Sequence, residues 1–324
     1  MKIKLLAIAA CLLGSVTSFA QNRGHEIGFQ SDNDSFLAQG SDRYYTNGFF
    51  LFYRVAHDPA KMGKRMRDDV ANAVFGFELG QKIYNARSGN LPDASFVDRP
   101  FAGYLYLGFN GNVLYKNETT IKLGVKVGVV GPAAGGYQIQ KFIHNTFGFY
   151  ELNSWQYQVR NAAQLNLNLD VNKLLARSSA ADLTVTGYVN AGTGFNAIGV
   201  GPMVRLGNFN QLFQSVSTQS TASRNAANQL LHNTELFFYY KPQINAVAYD
   251  ATAQGNIFKD HPEPGTQEIV GDINHVVFSN QLGVSYASSR FVVDLSAFIN
   301  TREVKQMVKS THQWGSLTVL YRFN

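Results

Sequence analysis

The sequence predicts an all-β protein, a transmembrane antiparallel β-barrel of twelve strands with a short helix in one outer loop. Three observations lead there. Downstream of residue 20 no run of eighteen apolar residues exists, so no transmembrane helix is expected, yet several segments alternate strictly between apolar and polar residues. The polar positions are Gln, Asn, Ser and Gly more than charged residues, as in a packed wet interior, while the apolar faces run the whole strand with aromatics near the ends. The last such segment, "WGSLTVLYRFN", places Phe323 one residue from the C-terminus. A soluble β-sandwich would also alternate, but its polar faces would be solvated and more heavily charged.

The first twenty residues are a candidate signal peptide. Lys2 and Lys4 precede an apolar run, and "TSFA" ends in small residues suited to cleavage after Ala20, leaving residues 21–324 as a single barrel domain. "IAAC" at Cys11 resembles a lipoprotein cleavage box, but the apolar run continues past it. Cys11 is the sole cysteine of the 324 residues, so the mature chain has no disulfide, thiol nucleophile or thiolate metal site. The formal net charge is +6 with the signal included, too weak and scattered for a nucleic-acid partner but compatible with anionic lipid headgroups.

Strands are expected at 25–31, 45–56, 72–85, 102–115, 119–130, 155–170, 182–191, 195–206, 235–250, 275–287, 290–301 and 313–323. In "WQYQVRNAAQLNLNLD" the outward set is Trp155, Tyr157, Val159, Ala163, Leu165, Leu167 and Leu169. An even count puts both termini on one side; if that side is the periplasm, the odd-to-even connections face outside: 32–44, 86–101, 131–154, 192–194, 251–274 and 302–312. The first three hold nearly every chemically suggestive residue. The long periplasmic connections 57–71 and 207–234, rich in charge or in Ser and Asn, read as soluble excursions.

"SDNDSFLAQGSDRYYTNG" (31–48) carries three aspartates and two asparagines where a hairpin needs only a turn. Asn33 and Asp34 end the first strand, and Thr46 and Asn47 begin the second, so hairpin geometry sets their oxygens side by side. Such a set suits a hard cation such as calcium, although the spacing is not that of an EF-hand, and acids capping turns account for it equally well. In "GPAAGGYQIQKFIHNTFG", Tyr137 to Phe147 loses the β alternation and fits a short helix with Gln140 and His144 on one face. An imidazole there could accept a proton from water. Taken alone, the segment reads more simply as a surface histidine beside an incidental glutamine. Asp98 and Arg99 open the fourth strand; the arginine could grip a phosphate, or the two could form a rim ion pair. No serine sits in a nucleophile-elbow context, so a hydrolase would use water.

Together these segments resemble the outer-membrane lipid A 3′-O-deacylase family, through "SDNDSF", "DRYYTNG", "GQKIY", "DRPFAGYLY", "GVVGPAAGGYQIQKFIH" and "SWQYQ", in that order. The resemblance spans the mature chain and is strongest from Ile27 to Gln158. It implies a twelve-stranded barrel and calcium-dependent hydrolysis of an acyloxy-linked chain from lipid A. The substrate would be the lipid A of lipopolysaccharide in the bacterial outer membrane, and the active site would face the exterior. By the same resemblance His144 is the general base, Gln140 supports it, and Asn33, Asp34 and Thr46 complete the site, with Asp34 and Asn33 toward the cation. Arg99 falls in the matching "DR" pair as a phosphate contact. The family's basic position after "GQKIY" departs here to Arg87. The expected partners are lipid A and outer-membrane lipids, with the protein a monomer. The rival readings are a non-catalytic barrel, whether pore or surface-binding protein, and an outer-membrane phospholipase.

Overall fold

The structure is a computed structural model that describes residues 23–38, 42–63, 68–224 and 229–324; the expected signal peptide at 1–20 lies outside them. Twelve strands form a closed antiparallel barrel in simple sequence order. They are β1 (His25–Asn33), β2 (Tyr45–His57), β3 (Val70–Tyr84), β4 (Ala102–Tyr115), β5 (Thr119–Val130) and β6 (Ala162–Arg177), followed by β7 (Ala181–Gly192), β8 (Phe195–Asn208), β9 (Glu235–Asp250), β10 (Val276–Ala287), β11 (Phe291–Thr301) and β12 (Thr311–Phe323). β1 closes on β12 from His25↔Phe323 to Asn33↔Gly315, so no sheet edge is left unpaired. Among the described residues no helix is long and apolar enough to cross a membrane.

Alternation decides the two faces. Leu107 is 67% exposed on the outside, and Leu123, Val127, Leu165, Leu167 and Leu295 are outward-facing with it. The intervening Gln164, Asn166, Asn112 and Gln81 are buried inward. Outward-facing leucine and valine over most of each strand, with a polar lumen, is the arrangement that puts apolar surface against lipid. Two buried ion pairs lie in the lumen. Arg205 bridges Asp182 at 2.6 Å, and Arg54 bridges Glu26 at 2.5 Å.

The strand expectations hold within a few residues except at β6, which runs Ala162–Arg177 and not 155–170. Trp155–Tyr157 is instead a single 3-10 turn. Trp155 and Val159 are apolar because they pack under loops, 3% and 0% exposed, and their period-2 spacing mimicked a lipid-facing strand.

The connection after β8 also departs from expectation. Residues 209–224 are not a soluble excursion; they fold into the lumen. Asn72 of β3 donates to the carbonyls of Phe213, Ser220 and Ala222, and Asn112 of β4 donates to that of Thr218. Arg205 of β8 donates to Ser215 and Ser217, Glu235 of β9 accepts from Ser215, Thr221 donates to Glu26 of β1, and Arg322 of β12 donates to the Thr221 carbonyl. One segment reaches the inner faces of strands all around the ring, so it spans the bore. Its hydroxyls and backbone are satisfied by the barrel wall and not by bulk water.

At the opposite end the loop segments 34–38 and 42–44 and the long loops 85–101, 131–161, 251–275 and 302–310 gather over the mouth. The short helix expected in the third of them is α1 (Gly136–Phe147), and a single turn, α2 (Ala251–Gln254), follows β9.

Candidate functional site at the loop end of the barrel

The site begins where β1 and β2 end. Asn33 and Asn47 are direct cross-strand partners, and the Asn33 amide donates to Asn47 Oδ1 at 2.6 Å. Asn33 Oδ1 accepts the Ser35 N–H and caps the 3-10 turn Asp34–Leu37. The β2–β3 register slips between Tyr45 and Asn47, which leaves Thr46 as the extra residue of a bulge. A bulge re-aims a side chain, and Thr46, fully buried, donates from Oγ1 to Asp42 Oδ1 at 3.2 Å and accepts from Asn47.

Asp34 is 3% exposed and accepts the Arg43 N–H at 3.0 Å. Burial pushes its carboxyl up to about 6, and the Asp42 charge pushes the same way against the pull of the Arg43 and Ser35 backbone N–H groups. The buried carboxyl of Asp34 therefore lies within the field of the partly exposed Asp42.

The other wall is α1, and its glycines explain its placement. Gly131 and Gly135 take left-handed φ values of 109° and 73° on either side of the turn that leads into the helix. A Cβ on Gly136 would stand 2.9 Å from the Gly103 Cα of β4 and 3.0 Å from the Trp155 ring, so only glycine lets the helix start against the strand. Four residues apart, Gln140 and His144 are both buried on the same helix face, 0% and 3% exposed. The Trp155 indole donates to Gln140 Oε1 at 2.9 Å, and the Gln140 amide nitrogen is buried without a partner. Gln140 therefore bonds to Trp155 and not to the imidazole it was expected to support.

His144 Nδ1 lies 2.7 Å from the Tyr150 carbonyl oxygen. A carbonyl only accepts, so Nδ1 carries the proton and the lone pair of the neutral ring is on Nε2. Nε2 is 3.1 Å from Asp42 Oδ2 but off the line of a hydrogen bond. Asp42 was not singled out in the sequence. It links the two walls, and the chain His144–Asp42–Thr46–Asn47–Asn33 is continuous in contacts of 3.2 Å or less.

The basic residues part company. Asp98 staples three loops, accepting from the Tyr44 hydroxyl and from the Arg87 and Val308 N–H groups, and Tyr44 is pushed up to about 12 chiefly by burial. With Asp98 fixed and Pro100 following, Arg99 turns inward. It is 1% exposed, donates to Thr252 at 2.9 Å, and its guanidinium lies 4.2 Å from the Tyr84 ring centroid. Arg87 stays half-buried near the surface, 4.5 Å over the Phe96 ring.

Among the described residues no three His, Asp or Glu side chains cluster as metal ligands. The site fits a hard dication in donor type and in charge, since the buried carboxyl of Asp34 and the partly exposed one of Asp42 repel each other among neutral oxygens. The remaining donors would have to be amide, hydroxyl and backbone oxygens.

Comparison with known proteins follows this geometry. The family model described as outer membrane protein LpxR matches residues 6–323. The chain belongs to the LpxR family. This is the outer-membrane lipid A 3′-O-deacylase family that the motifs resembled. LpxR from Salmonella typhimurium is similar in structure, with a TM-score of 0.71, 23% identity, and coverage of 92% of this chain and 100% of that one. At that identity the likeness carries the fold, including the twelve-stranded barrel. The translocator domain of the autotransporter NalP from Neisseria meningitidis gives a TM-score of 0.43 at 10% identity over 99% and 94% of the two chains. No curated protein sequence matches.

Proposed function

We propose that this LpxR-family barrel is an outer-membrane esterase that removes the 3′-O-linked acyloxyacyl chain from lipid A, with the loop end facing the cell exterior. The observation that carries the reading is the 2.7 Å contact between His144 Nδ1 and the Tyr150 carbonyl oxygen. The Nδ1 proton is committed to the Tyr150 carbonyl, so Nε2 offers its lone pair into a pocket lined by Asp42, Thr46, Asn47 and Asn33. A water at Nε2 would lose a proton to the imidazole and attack the ester carbonyl carbon, and the same proton would then pass to the departing alkoxide as the C–O bond breaks. Thr46 and Asn33 would orient that water and the ester. Gln140 would keep the helix face in place through Trp155 while its unpartnered amide N–H points to a group yet to bind. Calcium held by Asp34 and Asn33 would supply the positive charge that stabilises the oxyanion. Arg87, near the surface, is the better placed of the two arginines to meet a lipid A phosphate; Arg99 would act from the interior, by packing.

A pore is disfavoured by the segment 209–224 across one end of the bore and by the loops over the other. A phospholipase built on an activated serine is disfavoured because, among the described residues, no serine is hydrogen-bonded to His144. The test uses purified barrel in detergent micelles with lipopolysaccharide and calcium. Acyl release is expected from the wild type, with a loss of at least 100-fold in His144→Ala and on adding a chelator. An active His144→Ala variant would remove the proposed base, and undiminished turnover in chelator would remove calcium.

A further inference from the structure

The structure assigns Asp42 a role that the family motifs did not: we propose that its carboxylate is the electrostatic partner of the His144 imidazolium, making Asp42 a positioning residue for the base. This rests on the deacylase reading above. Asp42 Oδ2 is 3.1 Å from Nε2 but off the lone-pair line, so the carboxylate does not occupy the direction a reacting water would take. A carboxylate on the lone-pair axis would compete with the water; one beside it does not. When the water O–H bond breaks and its proton reaches Nε2, the new positive charge forms against a negative one already in place.

The carboxylate is held there by more than chance. Its other oxygen accepts from Thr46 Oγ1 at 3.2 Å, and its backbone carbonyl accepts from the Asn85 amide at 3.0 Å. The residue sits at φ 43°, a left-handed conformation that Asp and Asn tolerate better than other non-glycine residues. Its field is felt nearby: the Tyr150 phenol is pushed above its ordinary range, first by burial and then by the Asp42 charge. Tyr150 also supplies the carbonyl that fixes Nδ1, so both sides of the imidazole are tied to the same few residues.

Asp42→Asn separates charge from structure. Asparagine keeps the shape, the left-handed backbone and an oxygen for Thr46, and loses only the negative charge. Steady-state hydrolysis of lipopolysaccharide is to be measured for wild type, Asp42→Asn and His144→Ala across a calcium titration. Folding of each is checked by the heat-induced shift of barrels on gels. The expected result is a 10- to 100-fold fall in kcat for Asp42→Asn with KM within twofold and an unchanged calcium midpoint. Full kcat in Asp42→Asn beside an inactive His144→Ala would overturn this role alone. So would a loss reversed by added calcium, which would make Asp42 a cation ligand instead. No hydrolysis by the wild type would overturn the functional reading and this role with it.

Discussion

At the residue scale, the site depends on side chains whose partners fix one orientation each. Gln140 is the clearest case after His144. Its carbonyl oxygen is taken by the Trp155 indole, which leaves the amide N–H group as a buried donor without a partner. Leaving such a donor unmet costs about 1–3 kcal/mol, a cost a protein carries at sites where a ligand will meet it. Trp155→Phe keeps the ring packing against Phe101 and removes only the indole N–H. It is expected to destabilise the loop by about 1 kcal/mol and to lower acyl release several-fold without unfolding the barrel, measured by hydrolysis rate and gel heat-shift together. Unchanged turnover would show that the orientation of Gln140 does not matter. Helix spacing put Gln140 and His144 on one face and hairpin ends set Asn33 beside Asn47, placements the structure repeats, while the roles of these residues and of Asp34 and Thr46 came only from the family resemblance. Asp42 was missed because it lies in a loop with no periodicity, where nothing but the fold says which acid reaches the imidazole.

Elements were legible wherever the period-2 pattern was the whole story. Eleven of the expected strands match within a few residues, since each buries one face and exposes the other. β6 failed at its start for a physical reason: Trp155 and Val159 are apolar and alternate, but they pack beneath loops. The glycines of "GPAAGG" proved structural. They admit the turn and let α1 touch β4. Gly136→Ala would force its Cβ against the Gly103 backbone and tilt the helix away, moving His144 from Asp42. The expected outcome is a folded barrel with normal β circular dichroism and acyl release reduced at least tenfold, because misplacement by about 1 Å suffices for losses of that order. Full activity in Gly136→Ala would mean that α1 is not held by this contact.

For the molecule as a whole, the segment 209–224 crosses one end of the bore and loops gather over the other. The segment 209–224 was unreadable from composition, since serines and threonines that look solvated are equally able to satisfy a polar lumen wall. Its grip involves β1, β3, β4, β8, β9 and β12, and this predicts a non-conducting barrel. In planar bilayers the wild type is expected to pass no steady current, and deletion of residues 211–221 to open one; steady wild-type conductance would return the pore reading to favour. The central claim, that this fold hydrolyses an acyl ester of lipid A through His144, is tested most directly by mass spectrometry of lipid A. Cells expressing the chain are compared with cells expressing His144→Ala, with calcium present. The account predicts loss of one ester-linked acyl group in the first sample only; unchanged lipid A in both, with the protein inserted and folded, would contradict it.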